Sequence, residues 1–166
     1  LVLLCAAGFG ATEEGRPRGH LVLNGGGSKP DVVMEKFIEL AGGVDARIVV
    51  FPTASGEPDT GEYYQELFAG YGCENVVAAD VASRADAMVP KLAETVRGAG
   101  GIWFSGGDQR RITEALLDTA VGRAVEAAFV SGAVVGGASA GTACQGGLMI
   151  TGDGDFSGLG SHGPET

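Results

Sequence analysis

Short apolar segments alternate with longer amphipathic segments along most of this 166-residue chain, and this alternation limits the folds open to it. The short segments are residues 20–24, 47–51, 75–79, 101–104 and 133–136, and their polar residues stand only at their ends. Segments of this kind are typical of parallel strands whose two faces are both covered by helices. The sequence therefore predicts an α/β fold, a doubly wound and mostly parallel sheet sandwiched by helices.

The longer segments have the length and spacing of helices. They are residues 31–41, 61–71, 85–97, 109–118 and 121–130, and a further helix is expected after residue 141. In the first of them Asp31 is expected to be the N-cap and Gly42 to end the helix. Its core-facing side chains are expected to be Val32, Val33, Phe37, Ile38 and Leu40. Pro90 must lie in the first turn of its helix or kink it.

Glycine-rich turns follow three of the predicted strands. They are residues 25–27, 105–108 and 136–141. The carboxyl ends of parallel strands meet at one edge of the sheet, and ligands of such sheets bind at that edge. We therefore expect the functional site there. Residues 25–30 match neither the spacing of a phosphate-binding loop nor that of a dinucleotide-binding turn.

Gly137-Ala138-Ser139-Ala140-Gly141 is a GxSxG segment that directly follows a predicted strand. Such small neighbours allow a tight turn from strand to helix, with the serine hydroxyl exposed at its top. Ser139 is thus predicted to be a nucleophile. The Ala140 amide, assisted by the N-terminus of the next helix, is predicted to face a developing oxyanion. The alternative is that these small residues only pack a helix against a strand.

Ser105-Gly106-Gly107-Asp108-Gln109 follows the preceding strand. Two glycines allow the backbone to approach a ligand, so the Gly107 or Asp108 amide is a candidate for the second oxyanion donor. Gln109 is placed to contact substrate at the start of the next helix. The alternative reading makes Asp108 a helix N-cap after a glycine turn, and both roles can hold together.

Composition argues against several classes of partner and cofactor. There are 21 acidic residues against 11 basic ones, a formal charge of −10, and no Lys/Arg run that could neutralise nucleic acid or an anionic membrane. Three scattered cysteines and two histidines have no spacing that suits a zinc site or a disulfide framework. We expect no metal and no cofactor. Cys144 is an unconvincing nucleophile, since it lies beyond the turn on the following helix.

The composition of the two ends of the chain allows predictions about export and about domain boundaries. Residues 1–11 are apolar and rich in small residues, and a charged stretch follows, which resembles the end of a secretory signal peptide. We predict a signal-peptide remnant and linker over 1–18, a single domain over 19–166, and export to the periplasm or the outside. The alternatives are a buried first strand or an arbitrary fragment end, and a cytoplasmic protein. Residues 153–166 have the composition of a loop, so the natural protein is expected to continue.

The motifs, taken in order, resemble those of the cyanophycinases, which form one serine peptidase family with the aspartyl dipeptidases. They are Gly25-Gly26-Gly27, Phe51-Pro52-Thr53-Ala54-Ser55, residues 101–109, residues 137–142 and Met149-Ile150, and the resemblance covers residues 21–154. It implies a class I glutamine amidotransferase-like sandwich. It also implies Ser139 as nucleophile, Gly107 and Ala140 as oxyanion donors, and a substrate-holding GGDQ segment that includes Asp108 and Gln109.

The resemblance further implies an acidic residue shortly after the nucleophile, which orients a histidine. Asp153 and Asp155 are the two candidates for this acid. The family's histidine lies in a segment like Asp-Gln-His-Phe, which this sequence lacks, and His162 is too close to Ser139 to match it. The catalytic histidine is therefore expected beyond Thr166, together with the basic residues that hold the substrate, and the 166-residue chain itself is expected to be inactive.

The implied reaction is the hydrolysis of cyanophycin, a polyaspartate that carries arginine on its β-carboxyl groups, to β-aspartyl-arginine dipeptides through an acyl-enzyme. It needs no metal or cofactor, and the family implies a possible homodimer. Two alternatives stay open: an aspartyl dipeptidase, and a non-catalytic binding protein on the same fold.

Overall fold

A computed structural model describes residues 17–151 and contains a five-stranded parallel sheet. The strands are β1 (His20–Asn24), β2 (Ile48–Phe51), β3 (Val76–Ala78), β4 (Gly101–Phe104) and β5 (Val134–Ala138). The helices are α1 (Asp31–Ala41), α2 (Thr60–Gly70), α3 (Pro90–Val96), α4 (Gln109–Leu116), α5 (Ala120–Ser131) and α6 (Ala140–Ala143). The sequence-based prediction of these elements is confirmed, with most boundaries displaced by one or two residues.

The strand order is β1-β5-β4-β2-β3, and every pair is parallel. Residues of α1 and α2 pack on one face of the sheet, and residues of α3, α4, α5 and α6 pack on the other. Each face thus has its own apolar layer. This arrangement confirms the doubly wound α/β sandwich predicted from the alternating pattern.

Aromatic side chains fill both layers beside the central strands. Trp103 of β4 is fully buried and packs edge-on against Phe37 of α1, with ring centroids 5.0 Å apart. The next residue, Phe104, points to the opposite face and stacks on Phe51 of β2 at 5.2 Å. β4 and β5 are buried along their whole length, and a glycine-rich turn follows the carboxyl end of each.

The burial of β1 and α1 differs from the prediction. β1 forms an edge of the sheet, so Leu23 is 58% exposed although the strand is apolar. Val32 is 70% exposed, whereas Met34, which the prediction left out, is fully buried. The buried residues of α1 are Met34, Phe37, Ile38 and Ala41, spaced three, four and seven residues apart as one helix face requires.

The ends of two helices also differ from the prediction. The N-cap of α1 is Pro30 rather than Asp31, which lies in the first turn and accepts a 2.7 Å hydrogen bond from the Tyr71 hydroxyl. The predicted helix 85–97 is split into a short 3-10 turn, Asp86–Met88, and α3. The division occurs because Val89 precedes Pro90 and is extended, with ψ of 119°.

Several predicted features lie outside the described residues. They are the leader segment 1–11, the two candidate acids Asp153 and Asp155, and His162. Of the predicted linker, Arg18 is described, and its amide donates to the Val130 carbonyl at 3.3 Å. Within residues 17–151, no helix has both the length and the hydropathy that a membrane crossing requires.

Candidate active site

Ser139 occupies the strand-to-helix turn directly after β5, with φ of 51° and ψ of −108°. A residue with a Cβ rarely adopts this conformation, and holding one there costs about 1–3 kcal/mol. Although its neighbours in the turn are buried, the Ser139 side chain is exposed. Its hydroxyl makes no hydrogen bond within the described residues. The structure thus places a strained, accessible serine at the carboxyl edge of the sheet.

The two glycines of the GxSxG segment lie where other main-chain atoms leave no room for a side chain. A Cβ atom on Gly137 would overlap the main chain of Gly141, and one on Gly141 would overlap the carbonyl oxygen of Phe104. The turn therefore closes on itself and against the end of β4. This crowding explains why only glycine fits on either side of the Ala-Ser-Ala triplet.

Two other glycine-containing turns lie beside Ser139 in space. A Cβ atom on Gly26, after β1, would lie 3.2 Å from the Ser139 Cβ, and one on Gly106, after β4, would lie 3.7 Å from it. These turns follow the two strands that flank β5 in the sheet. The structure thus brings together three turns that are more than 30 residues apart in the sequence.

The candidate oxyanion donors differ in their availability. The Asp108 amide donates to the Ala54 carbonyl at 2.9 Å and is therefore occupied. The amides of Gly107 and Ala140 have no acceptor in the part of the chain that the structure describes. Of the two alternatives left open at the GGDQ turn, the Gly107 amide is the one still free to bind an oxyanion.

The helix after Ser139 contributes less than the sequence suggested. α6 contains only four residues, Ala140–Ala143. A helix dipole is the sum of aligned peptide units, so one turn produces little of it. Any stabilisation of an oxyanion at this turn therefore comes from the individual amides rather than from a long helix.

Asp108 is the N-cap of α4, as the alternative reading expected. Its carboxylate accepts a hydrogen bond from the Arg110 amide at 2.9 Å and forms an ion pair with the Arg110 guanidinium, also at 2.9 Å. The side-chain hydrogen bond from Arg110, with the backbone bond from the same residue, lowers the pKa of Asp108. The carboxylate is thus bound to the first turn of α4 and stays charged at neutral pH.

Gln109, the first residue of α4, reaches across to the segment after α6. Its Nε2 donates to the Ile150 carbonyl at 2.6 Å, which connects the GGDQ turn to Met149-Ile150. The amide oxygen of Gln109 has no partner among residues 17–151. Gln109 therefore has one end fixed by the protein and one end available to a ligand.

Sequence reasoning gave no role to Asn24 or Thr142, which the structure places directly beside Ser139. The Asn24 carbonyl accepts from the Ser139 amide at 2.8 Å and from the Thr142 hydroxyl at 2.7 Å. Asn24 is buried, with 8% of its surface exposed. A polar residue at the buried end of an apolar strand was the available signal, because such a group needs partners.

A histidine, the usual general base for a serine nucleophile, is missing from this edge in the described residues. The one histidine among them, His20, begins β1 and pairs with Val134, whereas the other end of β1 pairs with Ala138 beside Ser139. Four residues of strand separate the two ends, about 13 Å at 3.3 Å per residue. His20 therefore lies at the wrong edge of the sheet to serve Ser139.

Two other nucleophilic side chains nearby are buried. Ser105 is 0% exposed, and its hydroxyl has no partner within residues 17–151. Burial raises the pKa of the Cys144 thiol to about 12, and its Sγ lies 3.3 Å from the Gly141 carbonyl. A thiol with this pKa stays protonated at neutral pH and does not act as a nucleophile. Ser139 is thus the accessible nucleophile of the three.

A cleft of about 620 Å³ opens at the same edge of the sheet, beyond the GGDQ turn. Its lining includes two carboxylates, Glu57 and Asp80, and the guanidinium of Arg111, which donates to the Ser55 carbonyl at 3.0 Å. A larger cavity of about 870 Å³ lies between α3 and α5, where the strands begin, and has mainly alanine and glycine walls. The smaller cleft follows the ends of β2 and β3, so it lies at the same edge as Ser139 but on the far side of β4.

The side chains that the structure describes at this edge do not group as metal ligands. Across residues 17–151, no three His, Cys, Asp or Glu side chains come together in a group that could hold an ion. The groups next to Ser139 are backbone amides, carbonyls and uncharged side chains. The arrangement suits acyl transfer, in which a hydroxyl attacks a carbonyl carbon and amides bind the oxyanion.

Comparisons with protein families, known sequences and solved structures all find peptidases or proteins named cyanophycinase. The model of Peptidase family S51 matches residues 21–158. Proteins named cyanophycinase from Synechococcus elongatus and Geminocystis herdmanii are 36% identical over 144 residues and 34% identical over 122 residues, which cover 82% and 72% of this chain. Each match covers 45% of the relative, so the chain spans less than half of their length. The crystal structure of a peptidase from an acI-B1 Actinobacterium has 27% identity and a TM-score of 0.66, over 78% of this chain and 57% of that one.

Proposed function

The chain belongs to peptidase family S51, and on this premise we propose that the protein is a serine-type hydrolase that cleaves cyanophycin to β-aspartyl-arginine dipeptides. One observation carries the proposal. Ser139 is exposed, strained and adjacent to the Gly106-Gly107 turn. Its hydroxyl therefore lies at the same edge of the sheet as the Gly107 and Ala140 amides, which have no acceptor within residues 17–151. That is the geometry an acyl-transfer site needs.

The reaction follows from these groups. The Ser139 oxygen attacks the carbonyl carbon of a backbone amide of the polymer, and the oxyanion is bound by the Gly107 and Ala140 amides. The C–N bond then breaks, the amine leaves with a proton, and water hydrolyses the acyl-enzyme. Each oxyanion donor is worth about 10²–10³ in kcat. Since the product keeps its β-linked arginine, the bond that is cleaved lies in the aspartyl backbone.

The proposal assigns proton transfer to residues outside 17–151. A serine nucleophile needs a base, usually a histidine oriented by a carboxylate. Within the described residues His20 is the only histidine, and it lies at the opposite edge. Asp153 and Asp155 remain the two candidates for the orienting acid, and neither is preferred.

The substrate class is supported by the cleft beside the GGDQ turn. Glu57 and Asp80 line it together with Arg111, and the excess of carboxylate over guanidinium charge favours a basic group such as that of an arginyl side chain. An aspartyl dipeptidase that accepts neutral side chains would not need these charges. We therefore prefer cyanophycin to an aspartyl dipeptide as substrate, and Asp80→Asn should weaken cleavage of β-aspartyl-arginine chains more than that of a β-aspartyl-leucine analogue.

The decisive experiment uses the protein expressed from its complete gene. Purified cyanophycin is incubated with the parental protein and with the Ser139→Ala variant, and products are detected by mass spectrometry. We expect β-aspartyl-arginine from the parental protein and a loss of several orders of magnitude in rate from the variant, with binding of the polymer retained. Turnover by the variant at the parental rate would disprove the role of Ser139.

Gln109 is tested separately, as a substrate contact. Gln109→Ala should raise KM for aspartyl substrates. The free energy of unfolding should fall only by the contribution of one hydrogen bond to Ile150, about 0.5–1.5 kcal/mol. Loss of cooperative melting would make Gln109 a structural residue instead.

Residues 1–166 alone should show negligible hydrolysis, since residues 17–151 supply no base at Ser139. Release of dipeptide by this 166-residue chain would direct attention to His162. If the protein from the complete gene binds cyanophycin tightly but never cleaves it, the third candidate, a binding protein on this fold, is favoured.

A further inference from the structure

We propose that Thr142 is a positioning residue that holds the Ser139 turn to the edge strand β1. The inference rests on the proposed function, in which Ser139 is the nucleophile. Thr142 does not touch the reacting atoms in this proposal. It acts by keeping the backbone of Ser139 in a conformation that the residue would otherwise leave.

The hydroxyl of Thr142 lies between two strands. Its Oγ1 is 2.7 Å from the Asn24 carbonyl oxygen at the end of β1 and 2.7 Å from the Gly137 carbonyl oxygen in β5. A hydroxyl has one proton, so it donates to these two acceptors in shared or alternating fashion. Either way, one side chain links the last residues of two neighbouring strands at the point where the sheet ends.

The main chain of Thr142 is bonded to Ser139 itself. The Thr142 amide donates to the Ser139 carbonyl at 2.9 Å, and the Ser139 amide donates to the Asn24 carbonyl at 2.8 Å. Asn24 O therefore accepts both the Ser139 amide and the Thr142 hydroxyl. These bonds form a closed loop through Asn24, Ser139 and Thr142, with the strained residue inside it.

These hydrogen bonds matter because the backbone of Ser139 is strained and needs partners that hold it in place. A φ of 51° with ψ of −108° persists only where the surroundings over-determine it. Strand pairing between β1 and β5 stops at Asn24 and Ala138, one residue before Ser139. Beyond that pair, the hydrogen bonds that join β1 to the turn in the described structure are the two to the Asn24 carbonyl.

The side chain of Asn24 extends the same network to the wall of the site. Its Nδ2 donates to the Ser28 carbonyl at 3.2 Å, and its Oδ1 accepts from the Gly26 amide at 3.4 Å. Gly26 in turn packs against Ser139. Asn24 thus joins the Ser139 turn to the loop after β1, which faces the nucleophile. Loss of the Thr142 hydroxyl removes one of the two hydrogen bonds that attach the turn to the Asn24 carbonyl.

The expected effect is on rate rather than on substrate binding. A displacement of about 1 Å at a reacting atom costs about 10²-fold in rate. We expect Thr142→Val to lower kcat by about 10–100-fold with KM changed less than about 2-fold. Thr142→Ser, which keeps the hydroxyl, should restore kcat to within about 3-fold of the parental value.

The experiment uses the protein expressed from its complete gene, with cyanophycin as substrate and a fluorophosphonate probe that labels nucleophilic serines. The matched control is Thr95→Val: Thr95 is also half-buried, and its hydroxyl donates to a main-chain carbonyl, that of Lys91 in α3, at 3.1 Å. We expect the control to keep its labelling rate and kcat. We expect Thr142→Val to lower both by about 10–100-fold, while its melting curve stays cooperative.

The outcomes separate this inference from the proposed function. If the parental protein is labelled at Ser139 and Thr142→Val is labelled at the same rate, the positioning role is wrong and the nucleophile stands. If the parental protein is neither labelled at Ser139 nor active, the proposed function fails and this role fails with it.

Should Thr142→Val not fold, Thr142→Ala replaces it. If both fail to fold while Thr142→Ser folds, the hydroxyl serves folding and the proposal is overturned.

Discussion

Gly26 lies directly against Ser139, so that a Cβ atom added to Gly26 would sit 3.2 Å from the Ser139 Cβ and 3.6 Å from its hydroxyl oxygen. The two residues are 113 positions apart, and the parallel pairing of β1 with β5 brings them together. Gly26 also has a positive φ of 118°, which side chains disfavour. The turn after β1 therefore forms one side of the nucleophile's site, and a side chain at Gly26 would be strained and would press on Ser139.

Replacing Gly26 tests this contact. Gly26→Ala should reduce the rate of Ser139 labelling by a serine-directed probe at least 10-fold, because the new methyl group presses on the serine side chain. Gly25→Ala is the matched control, since a Cβ there meets nothing within 4 Å and its φ is not positive. Equal labelling of the two variants would contradict the contact.

The strain at Ser139 predicts that removing its side chain stabilises the fold. Ser139→Gly should raise the free energy of unfolding by about 1 kcal/mol, since glycine relieves about 1–3 kcal/mol of strain and returns part of it through the greater freedom of the unfolded chain. The same variant should be inactive. Denaturant titration of the two proteins measures the difference, and a less stable glycine variant would show that the conformation is not strained.

Gly107 is predicted to be irreplaceable for a different reason. A Cβ atom there would overlap the Ala54 carbonyl, and φ is 139°. Gly98→Ala is the control for backbone strain alone, because Gly98 has φ of 74° with nothing within 4 Å of a Cβ. We expect the control to lose about 1–2 kcal/mol of stability and Gly107→Ala to lose clearly more. Equal losses in thermal unfolding would disprove the close approach to Ala54.

The ion pair between Asp108 and Arg110 predicts a pH dependence of stability. Arg110 lowers the pKa of Asp108 in the folded state below its usual value near 3.9. The stabilisation is therefore present above about pH 4 and is lost as the pH falls through the lower, folded-state pKa. Asp108→Asn should melt below the parental protein at pH 7, and the gap should shrink as the pH falls below about 4.

A matched control separates this ion pair from the general effect of acid. Asp45→Asn removes a carboxylate after α1 that has no hydrogen bond or ion pair in the described structure. Its melting temperature should stay close to the parental one across the same pH range. A gap for Asp108→Asn that widens in acid would show the opposite sign and contradict the lowered pKa.

The burial of Cys144 predicts an unreactive thiol. Because burial raises the pKa of the Cys144 thiol to about 12, the thiol stays protonated at pH 8. In a Cys5→Ala background the folded protein should react negligibly with iodoacetamide, since Cys73 is also buried and burial raises its pKa too. After denaturation both thiols should react. Rapid labelling of folded Cys144 would mean that the residue is accessible.

Local patterns in the sequence determined the elements and their order. Apolar runs predicted the five strands, and the Gly-Ala-Ser-Ala-Gly segment predicted a tight turn at residue 139, because both signals depend on residues a few positions apart. The same local reasoning placed Val32 in the core, where the structure has Met34. Such errors arise because a helix's apolar residues alone do not show which side meets the sheet.

Tertiary structure decided what surrounds the nucleophile. The sequence alone indicated Ser139, Gly107 and Gln109 as members of a site. It did not show that the Asn24 carbonyl accepts from the Ser139 amide or that Gly26 lies against the Ser139 side chain. Nor did it show that the Asp108 amide donates to the Ala54 carbonyl. These contacts depend on which strands are neighbours in the sheet. Strand order is set by packing over the whole domain, since helices on both faces must bury their apolar sides at once, and no short stretch of sequence contains that information.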